Sequence, residues 1–171
     1  MAPGRGLLQR ELKQSRPFPT AGEEAVLGVI RSADLLRRKF GAVLEPFGVS
    51  LQQYNVLRIL RGAGGRGLPT LEIIDRMIEQ APGITRLIDR LADHGWADRS
   101  RCAEDRRVVY CRITQRGLEL LDEVEPPLQS AHVQVLRGLS EAEQGTLVKL
   151  LEQLRGGSGI PAHDGEISPG T

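Results

Sequence analysis

Thr85, Arg86 and Arg90 stand on one side of a short amphipathic stretch whose other side is Ile84, Leu87, Ile88 and Leu91. That spacing is the repeat of a helix with an apolar back and a polar front. A guanidinium presents forked N–H groups to guanine O6 and N7 or to phosphate oxygens, and a hydroxyl bonds to either kind of acceptor. Further along come Asp105, Arg106 and Arg107. An acidic residue two positions before an arginine can hold the guanidinium extended, and an extended arginine at a hairpin tip suits a narrow minor groove. Both groups also have a plainer reading. The first fits a solvated helix face with Arg86–Asp89 and Asp89–Asp93 neighbours, and the second fits a charged turn, where Asp is common.

The arginine hairpin that follows the helix favours nucleic acid over the plainer reading, and the charge distribution agrees. Net charge is only +1 over 171 residues. Between Ile84 and Arg116, however, eight cations face five acidic residues, a net of +3 in 33 residues, while the other 138 sum to −2. All eight are arginine. Residues for other chemistries are missing or misplaced. The glycines at 62, 64, 65 and 67 lack the Lys-Ser/Thr of a phosphate loop, and there is no nucleophile elbow. His94, His132 and His163 are far apart, and Cys102 and Cys111 have no metal spacing. An enzyme, a metal site and a cofactor are therefore not expected. Cys102, beside Arg101 in a turn, has the setting of an oxidisable thiol, whereas Cys111 on a strand reads as a small hydrophobe. No apolar run approaches the roughly 18 residues of a membrane span, and no secretory signal is evident. The expectation is a soluble cytoplasmic protein.

The elements that must position these residues can be read in order. Residues 1–20 carry Arg5, Arg10, Lys13 and Arg16 among prolines and glycines and predict a mobile basic arm. Val26, Val29, Ala33, Leu36, Phe40, Val43 and Phe47 repeat at three and four and predict a long helix ended by Pro46-Phe47-Gly48. Ser50 to Gln53 is a capping box for a second helix with Leu51, Tyr54, Leu57 and Leu60 inward. Thr70 is expected to cap a third, with Leu71, Ile74, Met77 and Ile78 inward. Pro82 fits the first position of a fourth, the amphipathic stretch above, with Gly95 at its end. Trp96 to Arg101 and Arg107 to Ile113 read as two strands of a hairpin, with Val109, Cys111 and Ile113 on its inner face. Thr114 caps a fifth helix that Pro126-Pro127 should kink or break. Ser140 and Glu143 open a last helix carrying Leu147, Leu150, Leu151 and Leu154, and residues 156–171 predict a disordered tail.

Two helices joined by a short link, then an arginine-tipped hairpin, make a winged helix-turn-helix. The fold class expected is mainly α with a small β-hairpin wing, in the order α-α-(β)-α-α-β-wing-β-α-α. Residues 22–155 resemble a MarR-type transcriptional regulator. The resemblance rests on Ile84 through Trp96, and on Asp105-Arg106-Arg107 followed by Ile113-Thr114 and Gly117. It implies a domain at 21–155, with a DNA-binding lobe at about 50–116 and dimerisation helices at about 21–47 and 115–155.

It further implies a homodimer on double-stranded, pseudo-palindromic operator DNA, acting as a repressor released by a small aromatic ligand or another stress signal. Pro82, Gly83, Thr85, Arg86, Arg90, Asp105, Arg106 and Arg107 are the residues expected at DNA. Many relatives carry a small hydroxyl residue where Gly83 stands. Pro82-Gly83 offers no such side chain, which shifts readout to Thr85, Arg86 and the wing and leaves backbone N–H groups for a phosphate. Phe47 and Tyr54, in a chain with few aromatics, mark either an effector pocket or plain core. The alternative function is a winged-helix protein-interaction module that no longer binds DNA.

Overall fold

The computed structural model describes residues 6–79, 83–101 and 108–157. Its helices are α1 (Leu7–Glu11), α2 (Ala21–Leu44), α3 (Leu51–Ala63), α4 (Thr70–Asp75), α5 (Ile84–Asp93), α6 (Gln115–Leu136) and α7 (Glu141–Gly157). Its strands are β1 (Leu68–Pro69), β2 (Ala97–Arg101) and β3 (Val109–Ile113). The fold is mainly α with one small antiparallel sheet, a winged helix-turn-helix. The chain divides into two units, Met1–Ala42 and Val43–Thr171.

In the first unit the Thr20 hydroxyl accepts the Glu23 amide at 3.1 Å as α2 begins. Arg31 donates to Glu11 at 3.3 Å, and Leu8 Cδ2 lies 3.9 Å from where a Cβ on Gly28 would stand. The segment expected as a mobile arm thus holds a helical turn. A five-residue helix is far too short to persist alone, so these contacts with α2 are what sustain it. Val26, Val29 and Ile30 on α2 stay exposed.

In the second unit, Gly48 adopts a left-handed φ of 68° and closes the 3-10 turn Glu45–Phe47 that follows α2. The predicted capping boxes are both formed. The Ser50 amide donates to Gln53 Oε1 at 2.9 Å and the Gln53 amide to Ser50 Oγ at 3.2 Å. At the head of α7 the Ser140 amide donates to Glu143 Oε2 at 2.8 Å, and the Glu143 amide returns to Ser140 Oγ at 3.4 Å. On α3 the buried apolar residues are Val56, Leu57 and Leu60, while Leu51 and Tyr54 are half-buried.

The sheet runs β1-β3-β2. Leu68 and Pro69 pair with Cys111 and Tyr110, which places the proline on an edge strand where its missing N–H is tolerated. Gly67 feeds β1 at φ 70°, and a Cβ there would lie 2.6 Å from the Cys111 carbonyl oxygen, so the chain passes too close for any side chain.

Three expectations fail here. Thr70 is the first residue of α4 rather than its cap, and its hydroxyl donates across to the Val109 carbonyl at 3.3 Å. On and just after α4 the fully buried residue is Ile73, which was not expected; Ile74 and Met77 are half-buried, and Leu71 and Ile78 are 74% and 80% exposed. The six-residue helix ends at Asp75, so a periodicity carried through to Ile78 has no helix to act on. Finally, α6 runs unbroken through Pro126 and Pro127. Two interior prolines cost about 3 kcal/mol or more each. Leu120, Leu121, Val124, Leu128 and Ala131 are buried on both sides of them, and at about 1.5–3 kcal/mol for each large side chain this burial offsets the loss. At the other end of the unit, α7 extends through Gly156 and Gly157, two residues into the segment expected as tail. Among the described residues no helix is long and apolar enough to cross a membrane.

Candidate nucleic-acid interface

Helix α5 buries Ile84, Leu87, Ile88 and Leu91, the four positions its spacing predicts. This fixes the helix's rotation and turns Thr85, Arg86 and Arg90 to the outside, all three exposed. The Arg90 Nε donates to the Arg86 carbonyl at 3.3 Å, laying its guanidinium along the helix. Gly83 is the N-cap, at φ 90° and ψ 35°, and its carbonyl accepts the Leu87 amide at 3.2 Å. A left-handed start costs an L-residue roughly 1–2 kcal/mol, so glycine rather than a hydroxyl residue fits this backbone. Pro82, Asp105, Arg106 and Arg107, and with them the wing tip and Cys102, lie outside the described residues.

The far end of α5 is tied down by three independent contacts. Gly95 at φ 70° donates to the Ala92 carbonyl at 2.8 Å and Trp96 to the Leu91 carbonyl at 2.9 Å, the paired bonds of a Schellman stop. The His94 ring stacks on buried Trp96 with centroids 4.3 Å apart. The Thr114 hydroxyl donates to the Gly95 carbonyl at 2.7 Å and accepts the Gly117 amide at 3.1 Å, so one side chain caps α6 and holds the stop of α5. A Cβ on Gly117 would sit 2.2 Å from the Trp96 carbonyl oxygen. The Ile113-Thr114 and Gly117 elements of the motif are therefore the parts of a close crossing.

Strands β2 and β3 pair from Ala97↔Ile113 to Arg101↔Val109 and carry the hairpin out from this crossing. Arg99 on β2 forms an ion pair with Asp89 on α5. A guanidinium-bearing strand is thereby joined to the exposed side of a helix.

The sequence model of the MarR family matches residues 49–109. A crystal structure of a MarR transcription factor from Planctomyces limnophilus is 40% identical in sequence, covering 80% of this chain and 98% of that one at a TM-score of 0.63. The chain belongs to the MarR family. Two further MarR structures share the fold. Sco3205 from Streptomyces coelicolor, solved in complex with DNA, is 25% identical over 84% of this chain and 92% of its own, with a TM-score of 0.72. A cysteine-to-serine mutant of MarR from E. coli, solved with operator DNA, is 22% identical over 88% and 99%, with a TM-score of 0.67.

In this MarR chain Phe47 ends the 3-10 turn and is half-buried. Tyr54 is half-buried on α3, with the Arg58 guanidinium 5.8 Å from its ring centre. A separate open cleft of about 260 Å³ lies at the α6–α7 corner, lined by His132, Val133, Leu136, Arg137, Leu139 and Gln144. Cys111 is fully buried, and burial pushes its thiol up, against smaller opposing pulls from the Thr70 hydroxyl and the Arg99 charge. It packs as a hydrophobe. The Asp89–Arg99 pair was missed in the sequence because its partners lie ten positions apart and meet only through strand register. Among the described residues no group of His, Cys, Asp and Glu could hold a metal ion.

Proposed function

We propose that this chain is a homodimeric, sequence-specific DNA-binding regulator that represses by occupying a pseudo-palindromic operator in the cytoplasm. The observation that carries the reading is the exposed Thr85, Arg86 and Arg90 face of α5, on a helix fixed at its back by four buried side chains and at its end by Thr114. A helix so fixed enters a major groove in one orientation, and the following hairpin then reaches toward the flanking backbone. That the Streptomyces and E. coli relatives were solved in complex with DNA supports DNA as the partner. Pro82, Gly83, Asp105, Arg106 and Arg107 complete the proposed contact set, with Gly83 and its neighbours bringing backbone N–H groups to a phosphate. Exposed apolar side chains on α7 support the dimer.

The test is fluorescence anisotropy with a duplex that the protein selects from a random pool, read across salt. A dimer that neutralises roughly 6–10 phosphates loses about 10³–10⁵ in affinity between 50 and 200 mM salt. A flat response would favour the protein-interaction module. The effector is proposed to be a small aromatic acid bound near Phe47 and Tyr54. Tenfold release of DNA requires about 1.4 kcal/mol of coupling, and DNA must weaken the ligand by the same factor. Titrating aromatic acids with and without the duplex checks this, and equal affinity in both would remove them as inducers.

A further inference from the structure

Asp89 is a carboxylate on the side of α5 that the reading above turns toward a polyanion. The local cations do not account for it. Arg90 turns back to the Arg86 carbonyl. Asp89 pairs instead with Arg99, on β2. The origin of Arg99 in the sheet explains how it gets there. Directly opposed residues of an antiparallel pair project from the same face. Arg99 opposes Cys111, which is fully buried, so the Arg99 stem leaves from the inner face of the hairpin. Asp98, Arg112, Ser100 and Tyr110 occupy the alternate face. Arg99 therefore starts on the same side as the core thiol, whose ionisation its charge influences, and its guanidinium ends at Asp89.

We propose that Arg99 is a positioning residue for DNA reading and not a phosphate contact. It neutralises the one carboxylate among Thr85, Arg86, Asp89 and Arg90, and it sets the angle between α5 and the wing strand. This inference rests on the DNA-binding reading above. Without Arg99, Asp89 repels phosphate and is free to accept from a cytosine amino group, a contact the wild-type pair suppresses. Part-exposed ion pairs add little to stability, so the effect falls on DNA affinity and not on the unfolding midpoint.

The experiment is a double-mutant cycle of Arg99→Ala and Asp89→Asn in the full chain, on the duplex selected by the wild type, with thermal unfolding as the fold control. Arg99→Ala is expected to weaken binding about tenfold, and the double variant to bind no worse than Arg99→Ala alone. The double variant has the wild-type net charge, and its salt slope is expected to match the wild type. Losses that multiply in the double variant, with a salt slope reduced by about one for each subunit, would make Arg99 a phosphate contact and overturn the proposal. If Arg99→Ala does not fold, Arg99→Gln serves in the same cycle with the same expected outcomes. A wild type that selects no duplex overturns the DNA reading and this inference together. A wild type that binds while its variants act independently overturns the inference alone.

Discussion

Helices α5 and α7 are both amphipathic, and they differ in what covers the apolar side. On α5, ten residues long, four side chains are buried against the rest of the second unit. On α7, seventeen residues long, none is buried, and Leu150 and Leu154 remain 57% and 46% exposed. Periodicity announces that a helix face needs a cover. It does not say whether the same chain supplies it. For α5 the cover is α3, α4 and β2, which pack against it within the second unit. For α7 the proposed cover is a second copy.

The sharpest way to break this contrast is to truncate one leucine on each helix. Leu91→Ala is expected to cost about 2–5 kcal/mol, the range for emptying a filled core site, and to do so at every protein concentration. Leu154→Ala is expected to lower the thermal midpoint in a concentration-dependent way, because it acts through association. Denaturant unfolding at two concentrations checks both. A concentration-independent loss from Leu154→Ala would mean that α7 needs no partner.

A second substitution asks how rigid the α5 side is. Gly117→Ala places a methyl against the Trp96 carbonyl, backbone on both sides, and should cost about 1–3 kcal/mol through displacement of the crossing. Urea unfolding measures it, and a neutral result would mean that α6 can slide on the stop of α5. Thr114→Ala removes a cap and should cost about 0.5–2 kcal/mol, while Thr114→Ser retains most of the stability.

The smallest effect belongs to the α7 side. The Ser140 side-chain and backbone hydrogen bonds hold the Glu143 carboxyl below its ordinary value of 4.5. Its folded value lies under its unfolded one. The stabilisation is therefore present above the ordinary value and fades as pH falls through the folded value. Ser140→Ala removes the hydroxyl bond and keeps the backbone one, so the Glu143 titration, followed by NMR, should move up toward the ordinary range. An unchanged titration would show that the backbone amide, and not the hydroxyl, holds the carboxyl.

What was legible in the sequence follows the same division. The face of α5 was readable because ten helical residues carry four apolar positions that one lobe covers. The caps at Ser50, Thr114 and Ser140 were readable because each is a local arrangement within three residues. Ile73 was missed because α4 is six residues long and sets its own register through Thr70 and Val109, not through an extended repeat. The continuity of α6 was missed because two prolines are a local penalty and the burial that offsets it is tertiary. Helix α1 was invisible for a similar reason, since its ion pair joins Glu11 to a residue twenty positions away.

The Thr114 hydroxyl carries a consequence for distance along DNA. It joins the stop of α5 to the first turn of α6, so the two helices share a pivot. Twenty-two residues make α6 roughly 33 Å long at 1.5 Å each, and a tilt of about 4° moves its far end by about 2 Å. Half-sites on B-form DNA recur every 34–36 Å or so. In the proposed dimer the arithmetic runs in reverse. Small shifts where the long helices of two copies meet arrive at the pivot as rotations of the reading helices, and the pitch of the double helix becomes the ruler against which those rotations are judged.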